Sequence, residues 1–149
     1  MVEAGKVEIA DRLARRRARI LPVFAILFFV WQANFFVMAP DAGRLVDQLK
    51  ISAWLVWVLA LLLLLATGGG LLRGSAVRAL MNDESTRENR RTGYAYGFWA
   101  AVGSAILVYV IDMFDPVTAR EGVHIVLTAG VATALFTFGL LERRALRNG

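Results

Sequence analysis

The sequence predicts an all-α integral membrane protein, a bundle of four transmembrane helices in which consecutive helices run antiparallel. Hydrophobic residues make up 58 % of the 149 residues, and the mean hydropathy is +0.56. An average soluble domain is only about 45–50 % apolar. The excess is concentrated in four runs, each near the roughly 20 residues that a helix needs to cross a bilayer. Lipid is therefore the expected solvent of these runs, in one membrane domain covering residues 1–149.

Composition also excludes several kinds of site. The net charge of +5 comes from basic residues in clusters that flank the apolar runs, where they act as orientation signals, so we expect no nucleic-acid partner. The chain has no cysteine, which rules out disulfides, thiolate metal sites and a cysteine nucleophile. A single histidine rules out a haem held by two histidines, and we expect no cofactor.

The first element is a basic amphipathic segment over residues 1–19, with Val7, Leu13 and Ala14 near one helical face. Two interpretations stand. The segment is a helical run-in whose arginines only fix orientation, or it lies on an anionic membrane surface; we favour the run-in. The first span, residues 20–39, follows, with Pro22 in its first turns, where a missing N–H costs little.

Two features of the first two spans need comment. The first span resembles a signal peptide, but its apolar run is long and Pro40 would follow the cut after Ala39, so we expect it to be uncleaved. The second span, residues 51–72, contains three glycines from Gly68 to Gly70. They either fray the helix end or let another backbone approach; no phosphate-loop motif surrounds them.

The third span covers residues 93–114 and the fourth residues 122–141. Only a short turn joins them, as does the 40–50 loop between the first two spans, so each pair should be antiparallel neighbours. Residues 73–92 form the middle loop. The basic residues number fourteen in the two terminal segments and the middle loop, against three in the other two connections. The positive-inside rule then places both termini and the middle loop in the cytosol.

The middle loop ends in a charged segment from which the third helix should start, near Glu84. Five of its residues are candidates for docking a protein partner: Asp83, Glu84, Arg87, Arg90 and Arg91. The alternative is a capped, solvated helix extension that only obeys the positive-inside rule.

This segment, D-E-S-T-R-E-N-R-R over residues 83–91, leads into Gly97-Phe98-Trp99. It resembles a D-E-x-T-R-x-N-R helix entry in small four-helix bacterial inner-membrane proteins that have no assigned activity. The resemblance covers about a third of the chain and implies a membrane protein of bacterial origin. Small four-helix multidrug exporters are similar in size and topology. Those exporters resemble one another in carrying a glutamate within the first span, whereas residues 20–39 contain no acidic residue.

Small residues recur every four positions along the third span, at Gly93, Gly97, Ala101 and Ala105. In lipid, such a stripe lets helix backbones approach closely and gain van der Waals contact. The fourth span carries matching small residues, among them Gly130 and Ala134. The two faces could meet within one chain or between chains of a homo-oligomer; we favour the former, with the other helices packed around residues 82–115.

Four polar side chains fall at similar depth in the spans, and they form a candidate polar site: Asp112, His124, Gln32 and Asn34. Asp112 follows Ala105 by seven residues, so it should share the packing face and point into protein. An ionisable residue inside a membrane is a functional hypothesis by default, here an ion or proton site. The alternatives are a wet interface or a simple tie between helices, and no metal site is expected.

These observations favour a small non-enzymatic protein of the bacterial inner membrane that acts as an accessory, scaffolding or regulatory component of a membrane assembly. Its expected partners are the lipid bilayer and a membrane or cytosolic protein. The alternative is a small oligomeric transporter or channel that uses Asp112 and His124.

Overall fold

The computed structural model of the chain describes residues 2–37, 44–68 and 84–148, and within these ranges its regular structure is α-helical. It contains α1 (Val2–Val37), α2 (Arg44–Thr67), α3 (Glu84–Asp112) and α4 (Ala119–Asn148). Three segments are long and apolar enough to cross a membrane: Gln48–Thr67 within α2, all of α3 and all of α4. The first predicted span lies in the second half of α1 as far as Val37, and its crossing remains a prediction.

The central helix is α4, not the segment 82–115. The α4 helix packs against α1, α2 and α3, whereas the extensive contacts of α3 are with α4 alone. Burial explains the difference, because α4 buries residues along most of its length while α3 buries only Thr86, Gly93 and Gly97. The expectation that the other helices pack around residues 82–115 is therefore wrong.

The apolar core lies between α1, α2 and α4. Its largest fully buried side chains are Phe28, Phe138, Leu21, Leu65 and Leu135. The ring of Phe24 on α1 also meets the ring of Trp57 on α2 edge to face, with centroids 6.1 Å apart. Among the described residues, α3 contributes nothing to this core cluster, so it is attached to the side of a three-helix unit.

The α1 helix is one continuous element through the basic segment and the apolar run. Pro22 therefore lies in the helix interior rather than in the first turns of a helix, which corrects the prediction. Because proline has no N–H, the preceding turn of α1 lacks one backbone hydrogen bond. The ring of Pro22 packs on α4. A Cβ added to Gly139 would lie 2.6 Å from Pro22 Cδ, so the crossing of α1 and α4 depends on a glycine at that position.

The α2 helix ends at Thr67, five residues before the predicted end of the second span. Gly68 follows in the left-handed region, with a φ of 60°. A glycine in this conformation directly after the last helical residue is a standard helix stop, because it lets the chain turn without a Cβ clash. Gly69, Gly70 and the middle loop up to Asp83 lie outside the described residues.

The small residues of α3 pack against those of α4. A Cβ added to Gly97 would lie 2.7 Å from both Ala134 Cβ and the Gly130 carbonyl oxygen, and one added to Gly93 would lie 2.9 Å from the Ala134 carbonyl oxygen. Ala101 continues the contact, since it lies beside Gly130. Ala105 is exposed, so the contact does not follow the four-residue spacing to its end.

Candidate functional site

Two of the four residues of the candidate polar site, Gln32 and His124, are buried near neighbouring turns of α4. Gln32 Nε2 on α1 donates a hydrogen bond to Thr128 Oγ1 on α4 at 2.8 Å. One turn before Thr128, the His124 ring stacks on the Trp54 ring of α2, with centroids 3.8 Å apart and planes 19° apart. All four side chains are buried. We call Gln32, Trp54, His124 and Thr128 the histidine cluster; it ties α1, α2 and α4 together.

Asp112 does not belong to the histidine cluster. Its side chain is exposed, and its carboxylate accepts a hydrogen bond from the Val117 N–H at 2.8 Å. The expectation that it points into protein fails because Asp112 is the last residue of α3, where the chain leaves the helix and turns toward α4. The carboxylate thus stabilises a turn. Asn34 lies in α1, and its side chain is outside the described part of the structure.

The turn beyond Asp112 ends in a capping box that starts α4. The Glu121 carboxylate accepts hydrogen bonds from the Thr118 N–H at 2.9 Å and from its hydroxyl at 2.7 Å. In return, the Glu121 N–H donates to Thr118 Oγ1 at 3.3 Å. This reciprocal pairing satisfies amide groups that a helix start leaves without helical partners.

A second buried polar group lies at the other end of α4. Arg17 of α1 forms an ion pair with Glu142 of α4, and both side chains are nearly inaccessible, at 5 % and 4 % exposure. The same guanidinium donates to the Thr86 hydroxyl of α3 at 3.1 Å and to the Gly68 carbonyl at 3.0 Å. Asn89 of α3 completes the group by donating to the other Glu142 oxygen at 3.1 Å.

We call Arg17, Gly68, Thr86, Asn89 and Glu142 the arginine cluster. Its members come from α1, the stop after α2, α3 and α4, so it is the point at which all four helices meet. A buried charge is tolerated only when it is paired and its remaining hydrogen-bonding capacity is used. The Phe138 ring, 5.5 Å from the Arg17 guanidinium carbon, adds a cation–π contact.

Sequence reasoning missed the arginine cluster, because the charged flanks that contain Arg17 and Glu142 enter it only as orientation signals. A signal was nevertheless present. Arg17 precedes Leu21 by four residues and Phe28 by eleven, so it shares the face of α1 that carries the core. Glu142 follows Phe138 by four residues and shares the core face of α4 in the same way.

The docking candidates at the entry to α3 have different surroundings. Glu84, Arg87 and Arg91 are exposed, and Asp83 lies outside the described residues. Arg90 is half-buried and donates to the Ala66 carbonyl in the last turn of α2 at 2.8 Å. A cation favours the carbonyl end of a helix, so Arg90 helps to hold α3 on α2. Of the candidates that the structure describes, Glu84, Arg87 and Arg91 are open to a partner.

An apolar layer separates the two clusters. Thr128 and Glu142 are fourteen residues apart on α4, a rise of about 21 Å. Phe28, Leu135 and Phe138 fill the interval and are fully buried. Across the described helices the two clusters are thus not joined by buried polar side chains, and no three His, Cys, Asp or Glu side chains in these ranges come together as potential metal ligands.

Comparisons with family models, curated proteins and solved structures give no match for this chain. The resemblance to bacterial inner-membrane proteins therefore stays a prediction.

Proposed function

We propose that this chain is a multi-pass protein of the bacterial inner membrane that acts without catalysis, as an accessory or scaffolding component of a membrane assembly. The observation that carries the proposal is that the buried polar side chains connect helices. The arginine cluster and the Gln32–Thr128 hydrogen bond join one helix to another, as expected of a structural bundle. What remains for function is the surface.

The surface of α3 is the best candidate for contact with a partner. A narrow strip of small residues packs α3 against α4, and large aromatic side chains on its other faces are largely exposed. Tyr96, Phe98 and Trp99 are 59 %, 61 % and 68 % exposed. The exposed charges of Glu84, Arg87 and Arg91 lie on the same helix, one to three turns toward its start. One helix thus offers an apolar surface and a charged surface.

The proposed orientation has both termini in the cytosol. The positive-inside rule supports it, and so does the arginine cluster. That cluster brings Arg17, the first turns of α3 and the α4 tail to one end of the bundle, which we call the basic end. In the described residues, basic side chains from three parts of the sequence are therefore neighbours at this end, as a common cytosolic location requires.

The alternative, a small oligomeric transporter or channel, has less support. Its ion site would combine Asp112 with His124, but Asp112 lies on the surface and His124 is stacked on Trp54. Within the helices that the structure describes, the apolar layer between the two clusters offers no polar route through a single chain. A pathway would have to form between chains.

Affinity purification from native membranes in mild detergent tests the proposal. We expect a defined membrane protein to co-purify at fixed stoichiometry and to be lost from the Arg87→Gln/Arg91→Gln variant, because the exposed charges dock it. Asp112→Asn is the matched control and should retain it. The proposal fails if no protein co-purifies while proteoliposomes show a pH-dependent cation flux that Asp112→Asn abolishes; that result would establish the transporter.

A further inference from the structure

A shallow apolar groove runs along the surface between α1 and α4. Six side chains line it: Ala25, Ile26, Phe29, Ala132, Thr133 and Phe136. Its walls are accessible, since Ile26, Phe29 and Phe136 are 53 %, 61 % and 38 % exposed. In a membrane-inserted bundle, an open apolar groove on the outer surface of two spans faces acyl chains.

Two arginines flank the groove at the basic end. Arg19 precedes Ile26 by seven residues on α1, and Arg143 follows Phe136 by seven residues on α4. Seven residues are close to two helical turns, so each arginine shares a face with a groove-lining residue about 10 Å away. Both side chains are exposed.

The arginine cluster fixes how these two side chains relate. Arg17 pairs with Glu142, Arg19 is two residues from the first, and Arg143 is adjacent to the second. The two arginines therefore lie at about the same level, one on each of the two helices that form the groove and about two turns beyond its lining residues. Neither has an acidic residue one turn away along its own helix, and the adjacent Glu142 is already engaged by Arg17 and Asn89.

We propose that this groove binds an anionic phospholipid, with the phosphate between Arg19 and Arg143 and one acyl chain along Ile26, Thr133 and Phe136. The arrangement matches the chemistry of such a lipid. A guanidinium binds phosphate oxygens in a bidentate manner, and the apolar stretch begins where the hydrocarbon would begin. The proposal rests on the membrane insertion proposed above, but not on the existence of a protein partner.

Native mass spectrometry of the full chain in a neutral detergent tests the site, with dioleoylphosphatidylglycerol and dioleoylphosphatidylcholine added in turn. We expect retention of one molecule of the anionic lipid in preference to the zwitterionic one. In Arg19→Gln/Arg143→Gln the apparent affinity should fall by about fivefold for each arginine lost. Thr133→Phe, which leaves every charge in place, should weaken retention by filling the groove.

Arg16→Gln is the matched control for the single change Arg19→Gln. Arg16 is exposed near the same level, but it lies about 80° around α1 from Ile26, so the preference should persist. An equal loss in Arg16→Gln and Arg19→Gln would overturn the proposal, since it would reduce the effect to surface charge. Absence of any preference would overturn it as well. Nanodisc incorporation, measured separately, distinguishes the causes: a chain that incorporates but shows no preference lacks the site, whereas a chain that fails to incorporate contradicts the membrane proposal too.

Discussion

Arg17 is the third of three consecutive arginines, yet Arg15 and Arg16 are exposed while Arg17 is buried. The local sequence gives the three residues the same charge and similar neighbours in the chain. What separates them is the rotation of the helix, which places Arg17 on the face that continues into Leu21 and Phe28. Its partner Glu142 is 125 positions away, a contact that helical periodicity along one segment cannot specify.

The first prediction concerns this pair. Glu142→Gln should lower the free energy of unfolding by about 3–5 kcal/mol, because it leaves the Arg17 guanidinium buried without its counter-charge. Unfolding of the purified protein in mixed micelles, followed by circular dichroism, measures the change. Arg16→Gln removes one charge from an exposed neighbour of Arg17 and should change stability by less than about 0.5 kcal/mol.

A double variant separates charge pairing from simple packing. Arg17→Met/Glu142→Leu removes both charges and keeps apolar volume, so it should recover much of the stability lost in Glu142→Gln. The double variant could instead be as unstable as the single variants Arg17→Met and Glu142→Leu predict when their losses are added. In that case the hydrogen bonds of Arg17 to Thr86 and Gly68 would carry the stability instead of the ion pair.

At the scale of the helices, hydropathy and turn chemistry predict much of the structure. Three predicted spans lie largely within helices that are apolar enough to cross a membrane, and α3 begins at Glu84, the residue near which its start is predicted. Hydropathy predicts the end of the second span at residue 72, five residues too late, because Leu71 and Leu72 extend the apolar run beyond the glycine stop. A hydropathy pattern records apolar residues, whereas Gly68 ends the helix through its backbone conformation.

The second prediction concerns the contact of α3 with α4. Gly97→Ala should destabilise the protein by about 1–3 kcal/mol, because the new methyl group would overlap Ala134 and the Gly130 backbone, and neither can yield without moving the helix. The matched control is Gly103→Ala on the same helix, where an added Cβ meets nothing within 4 Å. It should be neutral or slightly stabilising, since alanine favours helix.

The same unfolding measurement compares the two glycine variants. Equal stability of Gly97→Ala and Gly103→Ala would mean that α3 does not depend on close approach to α4. In that case the hydrogen bonds of Thr86 and Asn89 within the arginine cluster, rather than the small-residue strip, would have to account for the attachment of α3.

For the whole molecule, the order of the four helices that the structure describes follows from the sequence, but the central helix does not. The segment 82–115 combines charge, small residues and a carboxylate, and so attracts attention as a chemical pattern. Whether a helix is central depends instead on how many of its faces other helices cover, and two faces of α4 are covered. Gly130 and Ala134 meet α3, while Leu135 and Gly139 lie on the side of α1 and α2. Such pairing is set by contacts between distant segments, which a single sequence does not display.

The third prediction concerns the orientation of the whole bundle, and the absence of cysteine from the chain makes it direct to test. Single cysteines are introduced at Glu88 and Arg147, at the basic end, and at Asp115, in the exposed turn at the opposite end. In intact cells, a maleimide that crosses the outer but not the inner membrane should label Asp115→Cys. It should reach Glu88→Cys and Arg147→Cys only after the inner membrane is permeabilised.

The unmodified chain provides the unlabelled control, and labelling of all three positions after permeabilisation shows that each cysteine is reactive. The reverse pattern would place the basic end outside the cytosol, against the positive-inside rule. Labelling of Glu88→Cys and Asp115→Cys from the same side would mean that α3 does not cross the membrane.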